Sequence, residues 1–193
     1  MTGQGPQGPP GPAEAAPGPE DWDLTPKPAS ASSVTLTRLM DFSDANLLGN
    51  VHGGQVMKLV DDAGGLAAMK HCGGPVVTVA MDEMSFMEPV FVGDVVTVKA
   101  MVNDVGRSSL EIGVRVEAEN YVTGRHVHTS SAYLVYVALD RSGKPRPAPP
   151  VIAENMAQQR RQREAKLRRE ARLARKRAIL GARGEHEAEA GLK

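Results

Sequence analysis

Five stretches of the chain are rich in apolar and β-branched residues, which predicts β-strands, and the first of them also alternates apolar and polar residues. The first stretch is SVTLTRL, at residues 33–39, and the others are VVTVAMDEMSF, VVTVKAMVNDV, SLEIGVRVEAENY and RHVHTSSAYLVYVAL. Glycine-containing turns, VGRSS and VTGR, join the last three stretches. Strands that follow one another through short turns pair antiparallel, so one antiparallel sheet is expected.

A helical pattern lies between the first two predicted strands, from Gly54 to about His71. Its apolar face repeats at intervals of three and four residues, as a helix that packs on a sheet requires. The residues of this face are Val56, Val60, Ala63 and Ala67, with Leu59 and Leu66 at its margin. Two consecutive glycines then end the helix.

The order of elements predicts an α+β fold with a single five-stranded antiparallel sheet wrapped around a central helix. One helix covers only part of such a sheet, so a strand edge and apolar surface remain uncovered. Association with a second copy of the chain would cover both.

The two ends of the chain differ from this domain in composition. Residues 1–32 are rich in Pro, Gly, Ala and Ser and have few aliphatic side chains, so we predict a disordered tail there and a folded domain at 33–150. Residues 151–193 are predicted to be a basic tail that is helical, as its Arg, Glu, Ala and Gln content favours, or disordered. Its apolar residues are so sparse that it is expected to project from the domain or to fray.

Overall composition narrows the setting of the protein. The formal net charge of +0 conceals the basic tail, and Cys72 is the single cysteine, so a reducing compartment is expected. No apolar run approaches the roughly 18–20 residues of a membrane span, and the first residues lack the pattern of a signal peptide. The sequence therefore predicts a soluble, cytoplasmic protein without membrane partners.

Two adjacent acids lie within the predicted helix. Asp62 is four residues from Lys58, which indicates an ion pair at the surface. Asp61 instead shares its face with Gly64 and Gly65, and glycine inside a helix costs about 1 kcal/mol relative to alanine. Such glycines indicate that a partner helix or a ligand approaches the backbone closely. Asp61 is then either an ordinary surface acid or an acid beside a cleft.

The start of the helix is a second candidate for chemistry. The backbone N–H groups of Gly53 and Gly54 point out at the positive end of the helix dipole, where a carbonyl oxygen could bind. Asn50 either joins them or orders the loop. Asp61 lies about seven residues beyond Gly54, or roughly 10 Å at 1.5 Å per residue. If both act on one carbonyl, they must therefore come from different protomers.

Four motifs carry a resemblance to a known family: GNVHGG, MKLVDDAG, KHC and VTVAMDEMSFMEPVFVGD. From about Val34 to Pro149 the chain resembles the hotdog acyl-CoA thioesterases, above all the bacterial acyl-CoA hydrolases and the two-domain brain-type enzyme. The resemblance implies hydrolysis of acyl-CoA to a free acid and CoA, without a cofactor or metal. It also implies Asn50 and Asp61 as catalytic residues, and dimers often assembled into trimers of dimers.

The expected mechanism polarises the thioester carbonyl at Gly54 and Asn50, while Asp61 of the partner protomer activates water as a general base. Attack by the carboxylate itself, through an anhydride, is equally compatible with these residues. His52 and Gly53 lie beside the substrate, with His52 in a packing or hydrogen-bonding role. The resemblance places CoA near the turn formed by Gly106, Arg107, Ser108 and Ser109, although a plain polar hairpin would have the same sequence.

Two other functions are compatible with parts of the sequence. An enoyl-CoA hydratase with this fold needs a histidine close to its acid, and none follows Asp61 within one turn. A non-enzymatic acyl-CoA sensor or nucleic-acid binder would act through the basic tail, but the tail has no interleaved aromatic residues. No set of histidines and cysteines has metal-ligand spacing. The resemblance to the thioesterases therefore implies a hydrolase rather than either alternative.

Overall fold

The computed structural model describes the backbone of residues 22–190 and the side chains of residues 22–181, so the predicted disorder of residues 1–21 lies outside it. Five strands form one antiparallel sheet, with the bounds β2 Val34–Leu39, β3 Val76–Phe86, β4 Val95–Val105, β5 Ser109–Asn120 and β6 Arg125–Ala138. Their order across the sheet is β2-β4-β5-β6-β3. The predicted strands and their antiparallel pairing are confirmed.

One helix, α1 (Gly53–Cys72), contacts all five strands of this sheet. The predicted apolar face of α1 is buried, and Val60, Ala63 and Ala67 are each 0% exposed. The helix ends at Gly73, whose φ of 66° is a left-handed conformation that glycine adopts without strain. The predicted sheet wrapped around a central helix is therefore confirmed.

The segment before β2 is ordered from Trp22 onwards, so the prediction of disorder up to residue 32 was wrong for residues 22–32. Trp22 packs on Gly74 and under the guanidinium of Arg146, whose Cζ lies 3.5 Å from the ring centroid. A short strand, β1 (Lys27–Pro28), pairs with β7 (Val151–Ile152). The ring of Trp22 thus anchors this segment. A prediction from the average composition of residues 1–32 does not detect the effect of a single aromatic residue.

The C-terminal segment forms one long helix, α2 (Met156–Ala190). The prediction that it projects from the domain was wrong for its first half. Gln162 donates to Asp104 of β4 at 3.2 Å, and Arg168 binds Glu111 of β5 through two hydrogen bonds of 2.6 and 3.2 Å. Arg172 pairs with Asp82 of β3. The helix thus crosses the sheet in strand order, on the face opposite α1.

The contact between α2 and the sheet has little apolar surface. Charged and polar side chains therefore hold the helix in place. Ala165 is 1% exposed and lets the helix approach the sheet, while the guanidinium of Arg168 lies 3.6 Å above the ring centroid of Tyr133. Side chains from Leu173 to Gly181 are exposed. Within the described residues, no helix is both long enough and apolar enough to span a membrane.

Arg168 and Arg175 offer a matched test of this docking. Arg168→Ala should lower the free energy of unfolding by about 3 kcal/mol, because the buried carboxylate of Glu111 would lose its ion pair and keep only the hydrogen bond from Asn103. Arg175→Ala removes an exposed arginine from the same helix and should change it by less than about 0.5 kcal/mol. Urea unfolding measures both values, and equal effects of the two substitutions would contradict the docking contact.

Candidate active site

Helix α1 begins at a histidine that caps it. The Nδ1 atom of His52 accepts a hydrogen bond from the Gly54 N–H at 2.9 Å. The sequence prediction assigned this same N–H to a substrate carbonyl. Because His52 is exposed, its side chain can rotate away and release the Gly54 N–H. His52 therefore caps α1 through a hydrogen bond, and its contact with a substrate stays a prediction.

Two asparagines lie in the loop before α1. The Oδ1 atom of Asn46 accepts hydrogen bonds from the N–H groups of Leu48 at 2.8 Å and Asn50 at 3.3 Å. These two donors fix the orientation of the amide and leave its Nδ2 group as a donor. Asn46 and Asn50 line a cavity of about 370 Å³ together with Gly53 and the end of β3.

Asp61 has two hydroxyl donors on one carboxylate oxygen. Its Oδ1 atom accepts from Thr78 Oγ1 at 2.8 Å and from the Tyr136 hydroxyl at 2.9 Å. The sequence analysis missed both donors, which come from β3 and β6. Asp61 is exposed in a cavity of about 510 Å³, so the acid faces a cleft. Its apolar walls are Leu36, Leu66, Met69 and Val76.

Gly64 makes room for the ring of Tyr136. A Cβ at this position would lie 2.6 Å from the tyrosine hydroxyl, so any side chain would displace it. The predicted occupant was a partner helix or a ligand, but the occupant is a strand residue of the same chain. Burial, and then the hydrogen bond to Asp61, raise the pKa of Tyr136 above its usual value, so its hydroxyl stays protonated as a donor.

Asp62 makes the ion pair expected for it. Its Oδ2 atom lies 2.7 Å from Lys58 Nζ, and the two side chains are 45% and 67% exposed. The two adjacent acids therefore differ. Asp62 pairs with a lysine at the surface, and Asp61 accepts hydrogen bonds from two strands.

The two cavities lie at opposite ends of β3 and share no lining residue. Val76 and Thr78, near the start of the strand, line the Asp61 cavity. Phe86, its last residue, lines the asparagine cavity. One chain thus keeps Asn50 and Gly53 apart from Asp61, as their spacing along the helix predicts.

The turn at residues 106–109 belongs to neither cavity. It joins β4 to β5 and is closed by a hydrogen bond from Gly106 N–H to Ser109 O of 2.7 Å. Arg107 is exposed, and the carbonyls of Arg107 and Ser108 accept from backbone N–H groups at 3.0 and 2.9 Å. The guanidinium of Arg169, on α2, lies against Gly106 and adds a second cation to the turn.

Known proteins are similar to this chain in sequence and fold. A family model described as the thioesterase superfamily matches residues 48–124. An uncharacterized acyl-CoA thioester hydrolase of Bacillus subtilis, YkhA, is 36% identical over 123 residues, which are 64% of this chain and 72% of that protein. The chain belongs to the thioesterase superfamily. This membership confirms the resemblance deduced from the sequence motifs.

Within the thioesterase superfamily, mammalian relatives are longer than this chain. The cytosolic acyl coenzyme A thioester hydrolase of Mus musculus is 35% identical over 149 residues, which cover 75% of this chain. The match covers only 39% of the mouse protein. The chain therefore spans about two fifths of the length of this relative.

Solved thioesterase structures confirm the hotdog fold. An apo-hexameric acyl-CoA thioesterase has a TM-score of 0.75 and 36% identity, with coverage of 78% of this chain and 97% of that one. An acyl-CoA hydrolase of Staphylococcus aureus, solved with butyryl coenzyme A and coenzyme A, has a TM-score of 0.75 and 32% identity. That comparison covers 81% of this chain and 96% of the staphylococcal chain.

Three alanine variants of the staphylococcal hydrolase have solved structures. They replace an asparagine, an aspartate fifteen residues later and a threonine seventeen residues after that. The same separations connect Asn46, Asp61 and Thr78 in this chain, whereas Asn50 is only eleven residues before Asp61. Asn46, Asp61 and Thr78 therefore have the spacing of the substituted staphylococcal residues, and the role predicted for Asn50 stays a prediction.

Proposed function

We propose that this chain hydrolyses acyl-CoA thioesters to a free carboxylic acid and CoA, at sites that two copies of the chain share. The observation that carries the proposal is Asp61. Two hydroxyls hold its carboxylate in a cleft with apolar walls, and an asparagine-lined cavity lies at the other end of the same strand. The superfamily membership and the acyl-CoA hydrolases among its relatives support the same reaction.

The unpaired edge of β3 is the proposed contact between copies. It exposes Val77, Val79 and Phe86 at 44%, 54% and 53%, a combination that isolated sheets avoid. Thr78 and Phe86 are equally distant from Asp82 along the strand. If two copies of β3 pair antiparallel about an axis near Asp82, the Asp61 cavity of one copy meets the asparagine cavity of the other.

The carbonyl side of the proposed site uses amide donors. The Nδ2 group of Asn46 donates to the thioester oxygen, since its Oδ1 atom is bonded to the loop backbone. The N–H of Gly54 joins once His52 rotates away, and the helix dipole favours the oxyanion that forms. Asn50 then orders the loop, and Gly53 lets the substrate approach the backbone.

The base side uses Asp61 from the partner copy. The carboxylate takes a proton from water, whose oxygen attacks the thioester carbon and forms a tetrahedral oxyanion. Collapse of this intermediate breaks the carbon–sulfur bond, and the proton held on Asp61 passes to the leaving thiolate. Neither a cofactor nor a metal is required. Direct attack by the carboxylate would instead form an anhydride, which water then cleaves.

Other parts of the chain fit this function. Arg107 and Arg169 could bind CoA phosphates beside the turn at residues 106–109, with the two serine hydroxyls as further donors. Arg168 and Arg172 are already paired with Glu111 and Asp82, which weakens a binder that acts through the C-terminal segment. The hexameric structural relative supports assembly beyond the dimer, and the cytosolic mouse relative supports a cytoplasmic location.

Substitution of Asn46 and of Asn50 by alanine tests which asparagine donates to the thioester oxygen. With acyl-CoAs from acetyl to palmitoyl, free thiol should be released by the wild type. Asn46→Ala should lower kcat by about 10²–10³-fold, because a preorganised donor to the oxyanion is lost. Asn50→Ala should keep kcat within about tenfold. The opposite order would restore Asn50 as the donor, and thiol release from no acyl-CoA would refute the proposed reaction.

A further inference from the structure

Tyr136 is the donor to Asp61 that the spacing of the staphylococcal variants does not identify. It lies on β6 beneath α1 and is 1% exposed. Its hydroxyl is 2.9 Å from Asp61 Oδ1 and also 2.9 Å from the backbone carbonyl oxygen of Asp61. The hydroxyl therefore contacts both the side chain and the backbone of the proposed base.

We propose that Tyr136 is a positioning residue for hydrolysis, which holds Asp61 in the orientation that activates water. This inference rests on the proposed function. Tyr136 and Thr78 together occupy Oδ1, so the carboxylate presents Oδ2 to the cleft. A carboxylate with one oxygen fixed cannot rotate freely, and Oδ2 becomes the atom that accepts the proton from water.

The surroundings indicate that the hydroxyl, and not only the ring, is needed. A buried hydroxyl is costly unless it is bonded, and a phenylalanine would fill the same apolar space without that cost. The chain also has a glycine inside a helix at position 64, where even a methyl group would meet the hydroxyl. The buried hydroxyl of Tyr136 and the glycine inside the helix at position 64 are each unfavourable for stability, and both are needed for the hydrogen bond to Asp61.

The surroundings of Asp61 contain few charged groups, so its hydrogen bonds are its main polar interactions. On α1 the neighbouring charge is Asp62, which is paired with Lys58. Strand β3 contributes the uncharged Thr78, β6 contributes Tyr136, and the residue of β2 that lines the cleft is Leu36. Removal of the tyrosine hydroxyl therefore takes away one of two donors to the carboxylate and leaves its charged neighbours unchanged.

The test compares two phenylalanine substitutions on the same strand. Tyr136→Phe should lower kcat by about tenfold or more with little change in KM, because a hydrogen bond to a charged group is lost. Tyr133→Phe removes a hydroxyl from the opposite face of the sheet and should match the wild type in both kcat and KM.

A double-mutant cycle shows whether Tyr136 acts through Asp61. If it does, the residual rate of Asp61→Asn should be unchanged by the further substitution Tyr136→Phe. The inference is overturned if Tyr136→Phe has wild-type kcat, or if its effect persists in full in the Asp61→Asn background. Wild-type turnover by Asp61→Asn alone would instead remove Asp61 as the base, and with it this role for Tyr136. Melting temperatures of all variants identify any loss of folding.

Discussion

Asp61→Asn is expected to lower kcat for acyl-CoA hydrolysis by about 10²–10⁴-fold, the range that a general base contributes. Asparagine has the same shape, and its amide oxygen can still accept from Thr78 and Tyr136, so folding and self-association should persist. Thiol release under saturating acyl-CoA measures kcat, and a thermal unfolding curve measures stability. An anhydride route predicts the same loss, so the result tests the residue and not the choice of route.

Asp62→Asn is the matched control for this substitution. Asp62 is the next residue of the same helix, but it is half exposed and paired with Lys58. Exposed ion pairs contribute about 0–1 kcal/mol to stability, and this one is not assigned to the reaction. The control should therefore retain nearly all activity. Loss of turnover in Asp62→Asn, with normal turnover in Asp61→Asn, would reverse the assignment of the two acids.

A mixture of two inactive variants is expected to recover activity if copies of the chain share their sites. A heterodimer of Asn46→Ala and Asp61→Asn chains has one site with both residues intact and one site with neither. Random pairing of equal amounts makes about half of the dimers mixed, so about a quarter of wild-type activity should return. The chains are mixed by unfolding and refolding together, and thiol release is then measured.

Each variant refolded alone sets the baseline for this experiment. If one chain supplied both residues of a site, every site in the mixture would still lack one of them. Activity equal to the baseline would therefore refute the shared site, even if Asn46 and Asp61 are both required for turnover. Size-exclusion chromatography confirms that the mixed chains associate.

The periodic parts of the fold were predictable because local pattern determines them. Strands β3 and β4 cover the same residues as the apolar, β-branched stretches that predict them, and α1 ends at Gly73, whose positive φ favours glycine. Docking of α2 was not predictable in this way. The helix contacts the sheet through Ala165 and several arginine side chains. A search for amphipathic helices counts aliphatic residues and does not detect such a contact.

The candidate site was only partly predictable, because some of its residues are far apart in the sequence. The face of α1 that carries Gly64 and Gly65 identified Asp61, because helix geometry relates these residues directly. Tyr136 is 75 residues from Asp61, and no local pattern connects them. Asn46 and Asn50 are in one loop and have identical side chains. Only the hydrogen bonds of Asn46 and the spacing in a relative distinguish the two.

The length of β3 has a consequence for any ligand of the proposed dimer. Eight residues separate Thr78 from Phe86, and strands rise about 3.3 Å per residue, so the two reaction centres would lie roughly 26 Å apart. A bivalent inhibitor would need a linker of about this span to occupy both. Deletion of two residues from β3 would preserve the alternation of its faces while it brought the centres closer, so the best linker would become shorter.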